Sequence, residues 1–188
     1  MAIAGVVLAG GAGRRMGGVD KAALRVGGTT LLDRVLGAAE PVCDRLVVVG
    51  PARPTAVAAV TFVTEPEPGG GPVPAVLAGV AAAPECEVVL VLAADLPLLL
   101  PHHLRRLLDA LGSADAAAAY DEGGPNPLLA VYRSAALVAL GPGSPARRLL
   151  PPGTVTVDLG RAMFNVNRPE DLTAAETLIA EVGTENPA

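Results

Sequence analysis

The apolar positions fall into short runs whose period changes along the chain. Residues 3–9 form a β-branched apolar run that stops at glycines, the pattern of a strand buried on both faces. Residues 10–18 form a glycine-rich loop. Leu31, Leu32, Val35, Leu36 and Ala39 then recur at helical spacing, with Thr30 placed as an N-cap. Residues 45–50 and 60–64 are predicted strands. The Pro/Gly-rich stretch 65–72 cannot be the interior of a helix or strand and hands over to a helix at 74–82. Residues 88–94 are the most strand-like segment and are expected at the centre of a sheet. Pro101 opens a helix over 102–111 from the N1 position. Strand and helix thus alternate four times, which predicts an α/β fold: a mainly parallel central sheet with helices on both faces.

The rhythm changes after residue 112. Strands are predicted at 114–120 and 128–132 around a turn-rich loop at 121–125, and short helices at 134–140 and 144–150. A strand follows at 154–159, and 163–166 reads as extended. The last helix, 169–180, has Pro169 at N1 and Glu170 and Asp171 in its first turn, and 181–188 reads as a tail. No repeat or linker divides the chain, so residues 1–180 are expected to form a single domain of two parts, 1–112 and 113–180, that differ in rhythm.

Composition narrows the function. The 188 residues are 51% hydrophobic and 18% charged, with net charge -5, which argues against a nucleic-acid or membrane-surface partner. The mean hydropathy of +0.47 does not signal a membrane span, because the longest apolar run is far shorter than the ~20 residues required. The opening Met1-Ala2-Ile3-Ala4 lacks a basic leader, and Cys43 and Cys86 are too few for a disulfide framework; both point to a reducing cytoplasm. The cysteines read as small buried hydrophobes, and His102 and His103 as helix-surface residues. Among 14 basic residues only Lys21 is lysine. In a chain that writes arginine everywhere else, that lysine is a candidate for chemistry arginine cannot replace.

Ligands of open parallel sheets bind at the carboxyl ends of the strands. Three loops qualify here: 10–21, 65–72 and 95–97. In the first, Gly10, Gly11 and Gly13 let backbone amides approach a phosphate, Arg15 adds a fork-shaped donor, and Lys21 adds a compact charge. Gly11, Gly13 and Gly17 also approximate a dinucleotide fingerprint. The second predicted strand, however, ends Val49-Gly50-Pro51 with no acid for a ribose, although Arg53 would suit a 2′-phosphate. Asp95 follows the central strand and is several residues too early to cap the helix at Pro101, so it reads as a magnesium ligand. Asn167 or Arg168 precedes Pro169, a natural capping position.

Leu8-Ala9-Gly10-Gly11, Arg15-Met16-Gly17, Asp20-Lys21, Asp95-Leu96-Pro97 and Asn165-Val166-Asn167-Arg168-Pro169-Glu170-Asp171-Leu172 resemble, in order and over nearly the whole chain, the molybdenum cofactor guanylyltransferase family. That family belongs to the MobA-like nucleotidyltransferase superfamily. The resemblance implies a three-layer Rossmann-like nucleotidyltransferase fold and transfer of GMP from GTP to molybdopterin bearing molybdenum, with Mg2+ and release of pyrophosphate. It implies that Leu8, Ala9 and Gly10 contact nucleotide, that Lys21 binds phosphate, that Asp95 binds magnesium, and that Asn167 completes the metal or acceptor site. GTP, the molybdenum cofactor and molybdoenzyme maturation proteins are the implied partners. The chain departs from the family pattern at Gly50, where members often carry Asn, and at Glu65, where they often carry Asp. It departs also at Gly69 to Ala75 and at Asn126-Pro127, where members show His-Pro. Gly50, Glu65 and Gly71 are expected to line the base pocket. The alternatives are a same-fold enzyme with another base or acceptor (cytidylyl-molybdopterin or a sugar phosphate) and a non-catalytic pterin-cofactor carrier.

Overall fold

The computed structural model describes residues 1–10, 20–66, 70–138, 140 and 144–185. Strand β1 (Ile3–Leu8) lies inside a seven-stranded sheet. A small antiparallel hairpin, β2 (Arg25–Val26) and β3 (Thr29–Thr30), leads into α1 (Leu31–Ala39). Then come β4 (Arg45–Val49), β5 (Val60–Val63), α2 (Pro72–Ala81), β6 (Val88–Ala93) and α3 (Pro101–Leu111). The second half adds β7 (Ala116–Asp121), β8 (Gly124–Arg133), α4 (Ser134–Val138), β9 (Val155–Val157) and α5 (Pro169–Glu185). The sheet order is β5-β4-β1-β6-β8-β7-β9, so β6 is the central strand, as its unbroken apolar run predicts. β5, β4, β1 and β6 run parallel, and β8 is antiparallel to both of its neighbours.

Successive side chains of β6 feed opposite cores. Val88, Leu90 and Leu92 join the cluster under α1 and α3, while Val89 and Val91 join the cluster under α2 and α4. Both faces are therefore covered, which yields three layers. Thr30 caps α1 by accepting from the Asp33 amide at 3.0 Å, as its spacing predicts. α3 buries Leu104, Leu107 and Leu111 along one stripe, at about 2–3 kcal/mol for each fully buried leucine. α2 starts two residues earlier than predicted, and Gly79 lets it lie close on the sheet: a Cβ there would sit 2.3 Å from Val6 Cγ1.

The structure corrects the second half. The expected loop at 121–125 is mostly strand, because β7 and β8 form a hairpin that pairs Tyr120 with Pro125. Its prolines are accommodated by a large bulge: the register steps from Ala118↔Ala130 to Ala119↔Asn126. Fully buried Tyr132 braces the bulge by donating its hydroxyl to the Pro127 carbonyl at 2.8 Å. The helix expected at 144–150 is only a 3-10 turn, Ala146–Leu149. A 3-10 turn not foreseen, Gly160–Met163, precedes the segment expected to be extended and takes in only its first residue. α5 continues to Glu185 rather than stopping at residue 180. Ile179 packs on a third apolar cluster, and no proline interrupts the chain before Pro187. That cluster joins Val26 and Leu31 to Val166 and Ala175, and so ties α5 to the β2–β3 hairpin. Among the described residues, no helix is long and apolar enough to cross a membrane.

Candidate active site

The carboxyl ends of β5, β4, β1 and β6 share one edge of the sheet. They present in a row Glu65, Gly50, the segment Leu8-Ala9-Gly10, and Asp95. Three strand spacings separate the first from the last, roughly 14 Å. The chain order reverses between β1 and β6, so Asp95 stands at the topological switch point, where such sheets hold ligands.

The backbone is drawn tight beside that point. The Ala9 amide donates to the Val49 carbonyl at 2.9 Å, and the Gly50 amide to the Val63 carbonyl at 2.8 Å. Gly50 has φ 151°, and a Cβ there would lie 2.9 Å from the Ala9 carbonyl carbon. Only glycine lets β4 end against the start of the glycine-rich loop. Leu8 and Ala9 are half-buried and Gly10 is exposed.

Lys21 opens a 3-10 turn, Lys21–Ala23. Its Nζ donates to Asp95 Oδ2 at 2.5 Å and to Asn167 Oδ1 at 2.9 Å. The Lys21 and Asp95 side chains are 23% and 20% exposed, so the pair is shielded yet reachable from solvent. The Asp95 carbonyl accepts from the Val166 amide at 3.0 Å, which fastens the β6 rim to the segment before α5. The Asn167 side chain donates to Asn165 Oδ1 at 2.9 Å. It therefore joins Lys21 and Asp95 instead of capping α5. The cap comes from Asp171, whose Oδ2 accepts from the amides of Asn167 at 2.7 Å and Arg168 at 2.8 Å. Those two bonds hold the Asp171 carboxyl below the usual carboxylate range.

Asp95 and Asn167 fit a magnesium ion by their chemistry. Both offer hard oxygen donors, and they already hold one positive charge, the Lys21 ammonium, between them. Among the described residues no three His, Cys, Asp or Glu side chains converge. One carboxylate and one amide oxygen would leave the remaining coordination to phosphate oxygens and water, which is how Mg2+ commonly sits in nucleotide sites.

Arg15, Gly11 and Gly13 lie outside the described residues. Glu65 is half-buried just beyond β5, and Gly71, with φ 91°, is the N-cap of α2. His102 is exposed on α3, while half-buried His103 accepts the Leu100 amide on Nδ1 at 3.1 Å. Burial, then His102 and Arg106, lower its pKa to about 4. Cys86 is buried and Cys43 half-buried; burial pushes the Cys43 thiol up to about 12. Arg53, weighed as a 2′-phosphate ligand, instead pairs with Asp20. Sequence reasoning gave Asp20 and Asn165 no separate role and did not foresee Asp171 as the cap. A carboxylate at the third helical position after a proline was the available signal for Asp171.

Comparison with known proteins gives this geometry a family. Residues 5–152 match the MobA-like NTP transferase domain. A probable molybdenum cofactor guanylyltransferase of Chloroflexus aggregans is 33% identical, covering 99% of this chain and 98% of that one. A molybdenum cofactor guanylyltransferase of Rhodopseudomonas palustris is 32% identical, with 92% of each covered. The fold matches the crystal structure of molybdopterin-guanine dinucleotide biosynthesis protein A from Archaeoglobus fulgidus with TM-score 0.68 and 23% identity, covering 95% of this chain and 99% of that one. The chain thus belongs to the MobA-like NTP transferase family, among the molybdenum cofactor guanylyltransferases.

Proposed function

We propose that the protein transfers GMP from GTP to the terminal phosphate of molybdopterin bearing molybdenum, in the cytoplasm. The products are molybdopterin guanine dinucleotide and pyrophosphate. The observation that carries this reading is the Lys21 ammonium held between Asp95 and Asn167 at the sheet's switch point, in a chain of this family. An acceptor phosphate oxygen attacks the α-phosphorus in line. The bond from that phosphorus to the bridging oxygen breaks, and pyrophosphate leaves with the electron pair. Such transfers need positioning and charge stabilisation more than covalent help.

In this reading Lys21 neutralises charge gathering on the α-phosphate and on the leaving oxygen. Leu8, Ala9 and Gly10 contact the nucleotide, and the loop amides at Gly11 and Gly13 with the Arg15 guanidinium hold its phosphates. Gly50, Glu65 and Gly71 line the base side, where a carboxylate can accept from the guanine N1 and N2 edge. Asp95 and Asn167 would hold Mg2+, which supplies Lewis-acid charge to the phosphate oxygens when bound. Residues 1–112 serve the nucleotide and 113–180 the acceptor, and molybdoenzyme maturation proteins would receive the product.

A panel of GTP, CTP, ATP and UTP, scored by pyrophosphate release with molybdopterin, with a sugar phosphate in its place, and with neither, tests the assignment. Release with GTP only when the pterin is present is expected. Release with CTP instead would overturn the base, release with a sugar phosphate would overturn the acceptor, and pterin binding with no release would leave a carrier.

A further inference from the structure

The Lys21 ammonium is only as well placed as the turn that carries it. Asp20 immediately precedes Lys21, and its carbonyl closes the turn by accepting from the Ala23 amide at 3.1 Å. Its carboxylate receives Arg53 Nη1 on both oxygens, at 2.6 and 2.5 Å. Arg53 is itself braced, since its Nε donates to the Pro51 carbonyl at 3.2 Å. The Arg53 side chain is 13% exposed and that of Asp20 52%. Both flanks of the glycine-rich loop are therefore tied to one stretch of chain, the end of β4 and the connection after it. The upstream flank is held by the Ala9–Val49 bond and by contact with Gly50, the downstream flank by Asp20 and Arg53.

We propose that Arg53 is a positioning residue for the transfer reaction: through Asp20 it sets where the Lys21 ammonium meets the nucleotide. This rests on the role of Lys21 argued above. A partly exposed ion pair adds little to global stability. A small displacement of a charge that acts in the transition state nevertheless costs rate. The position also asks for arginine: one guanidinium reaches the carboxylate through Nη1 and the Pro51 carbonyl through Nε, and an ammonium has no such fork.

The test compares Arg53→Met, Asp20→Asn, the double variant and Arg53→Lys with the unaltered protein. The readouts are pyrophosphate release (kcat and KM separately), thermal melting, and hydrogen exchange at the Ala23 and Leu24 amides. Each single change should lower kcat ~10-fold or more, with melting shifted by no more than about 2 °C. The double variant should be no slower than the slower single one, because the two residues act as one unit. Arg53→Lys should fall between. Exchange at Ala23 and Leu24 should quicken in Arg53→Met. Full kcat in Arg53→Met, or losses that multiply in the double variant, would overturn the proposal. If the unaltered protein releases no pyrophosphate, the transfer reading itself fails. Exchange then still decides the clip: quickened exchange supports it and unchanged exchange overturns it.

Discussion

Lys21 and Asp95, 74 residues apart in sequence, form a hydrogen-bonded ion pair of 2.5 Å directly beyond the central strand. The pair explains why one lysine persists in a chain otherwise supplied with arginine. A compact ammonium fits between the Asp95 carboxylate and the Asn167 amide oxygen, and a planar guanidinium would force them apart. Lys21→Ala should therefore lower turnover ~100- to 1000-fold while nucleotide affinity falls far less. Folding stability should change by about 1 kcal/mol or less, and Lys21→Arg should not restore the rate. Parallel measurement of pyrophosphate release and GTP binding checks this; equal, small losses in both would remove Lys21 from the chemistry.

Asp95→Asn keeps an oxygen that can accept from Lys21 but removes the negative charge. Magnesium-supported turnover should drop ~100-fold or more, and the magnesium titration should move to higher concentration. A titration indistinguishable from that of the unaltered protein would sink the metal assignment.

Asp171 makes acid stability testable. Its pKa is lowered in the folded state by the bonds from the Asn167 and Arg168 amides. A depressed carboxylate adds stability that is present above the unfolded pKa and lost as pH falls through the folded one. At neutral pH Asp171→Asn should melt below the unaltered protein. The gap should narrow once pH drops under the unfolded value and close as pH passes the lower folded pKa. Melting curves from neutral to strongly acidic pH check this; a gap constant with pH would show that the carboxylate charge is irrelevant to the cap.

Gly50→Ala should act on both fold and site. The new methyl would strike the Ala9 carbonyl carbon at 2.9 Å from a backbone at φ 151°. A cost of about 1–3 kcal/mol is expected, together with a raised nucleotide KM as the Ala9–Gly10 backbone yields. Gly28→Ala is the control: its φ is 80°, with nothing within 4 Å of the added methyl. It should cost about 1 kcal/mol of backbone strain and leave KM unchanged. Equal KM values in the two variants would count against a nucleotide contact at Gly10.

Much of this molecule is written locally. The β-branched runs of β1, β4 and β6, the helical spacing of α1 and α3, and the punctuation by Gly and Pro encode parallel strands with both faces buried, because backbone period and side-chain burial act over a few residues. The rarity of Lys21 and the position of Asp95 after an apolar strand single out, without any fold, two residues that the structure brings together. The β8 bulge was not legible, because Pro125 and Pro127 read as loop until Tyr132 and the pairing with β6 hold them in strand. Nor was the partner of Arg53, since an ion pair between residues 33 apart depends on where two loops emerge on one rim. Asn167 looked like a cap by itself. Only the apolar cluster of Val26, Leu31, Val166 and Ala175 swings α5 against the β2–β3 hairpin and sets that amide 2.9 Å from an ammonium 146 residues away. Local sequence determined most of the elements and which residues are candidates for chemistry; tertiary packing, which alone brings distant side chains within hydrogen-bond reach, decided how those residues meet.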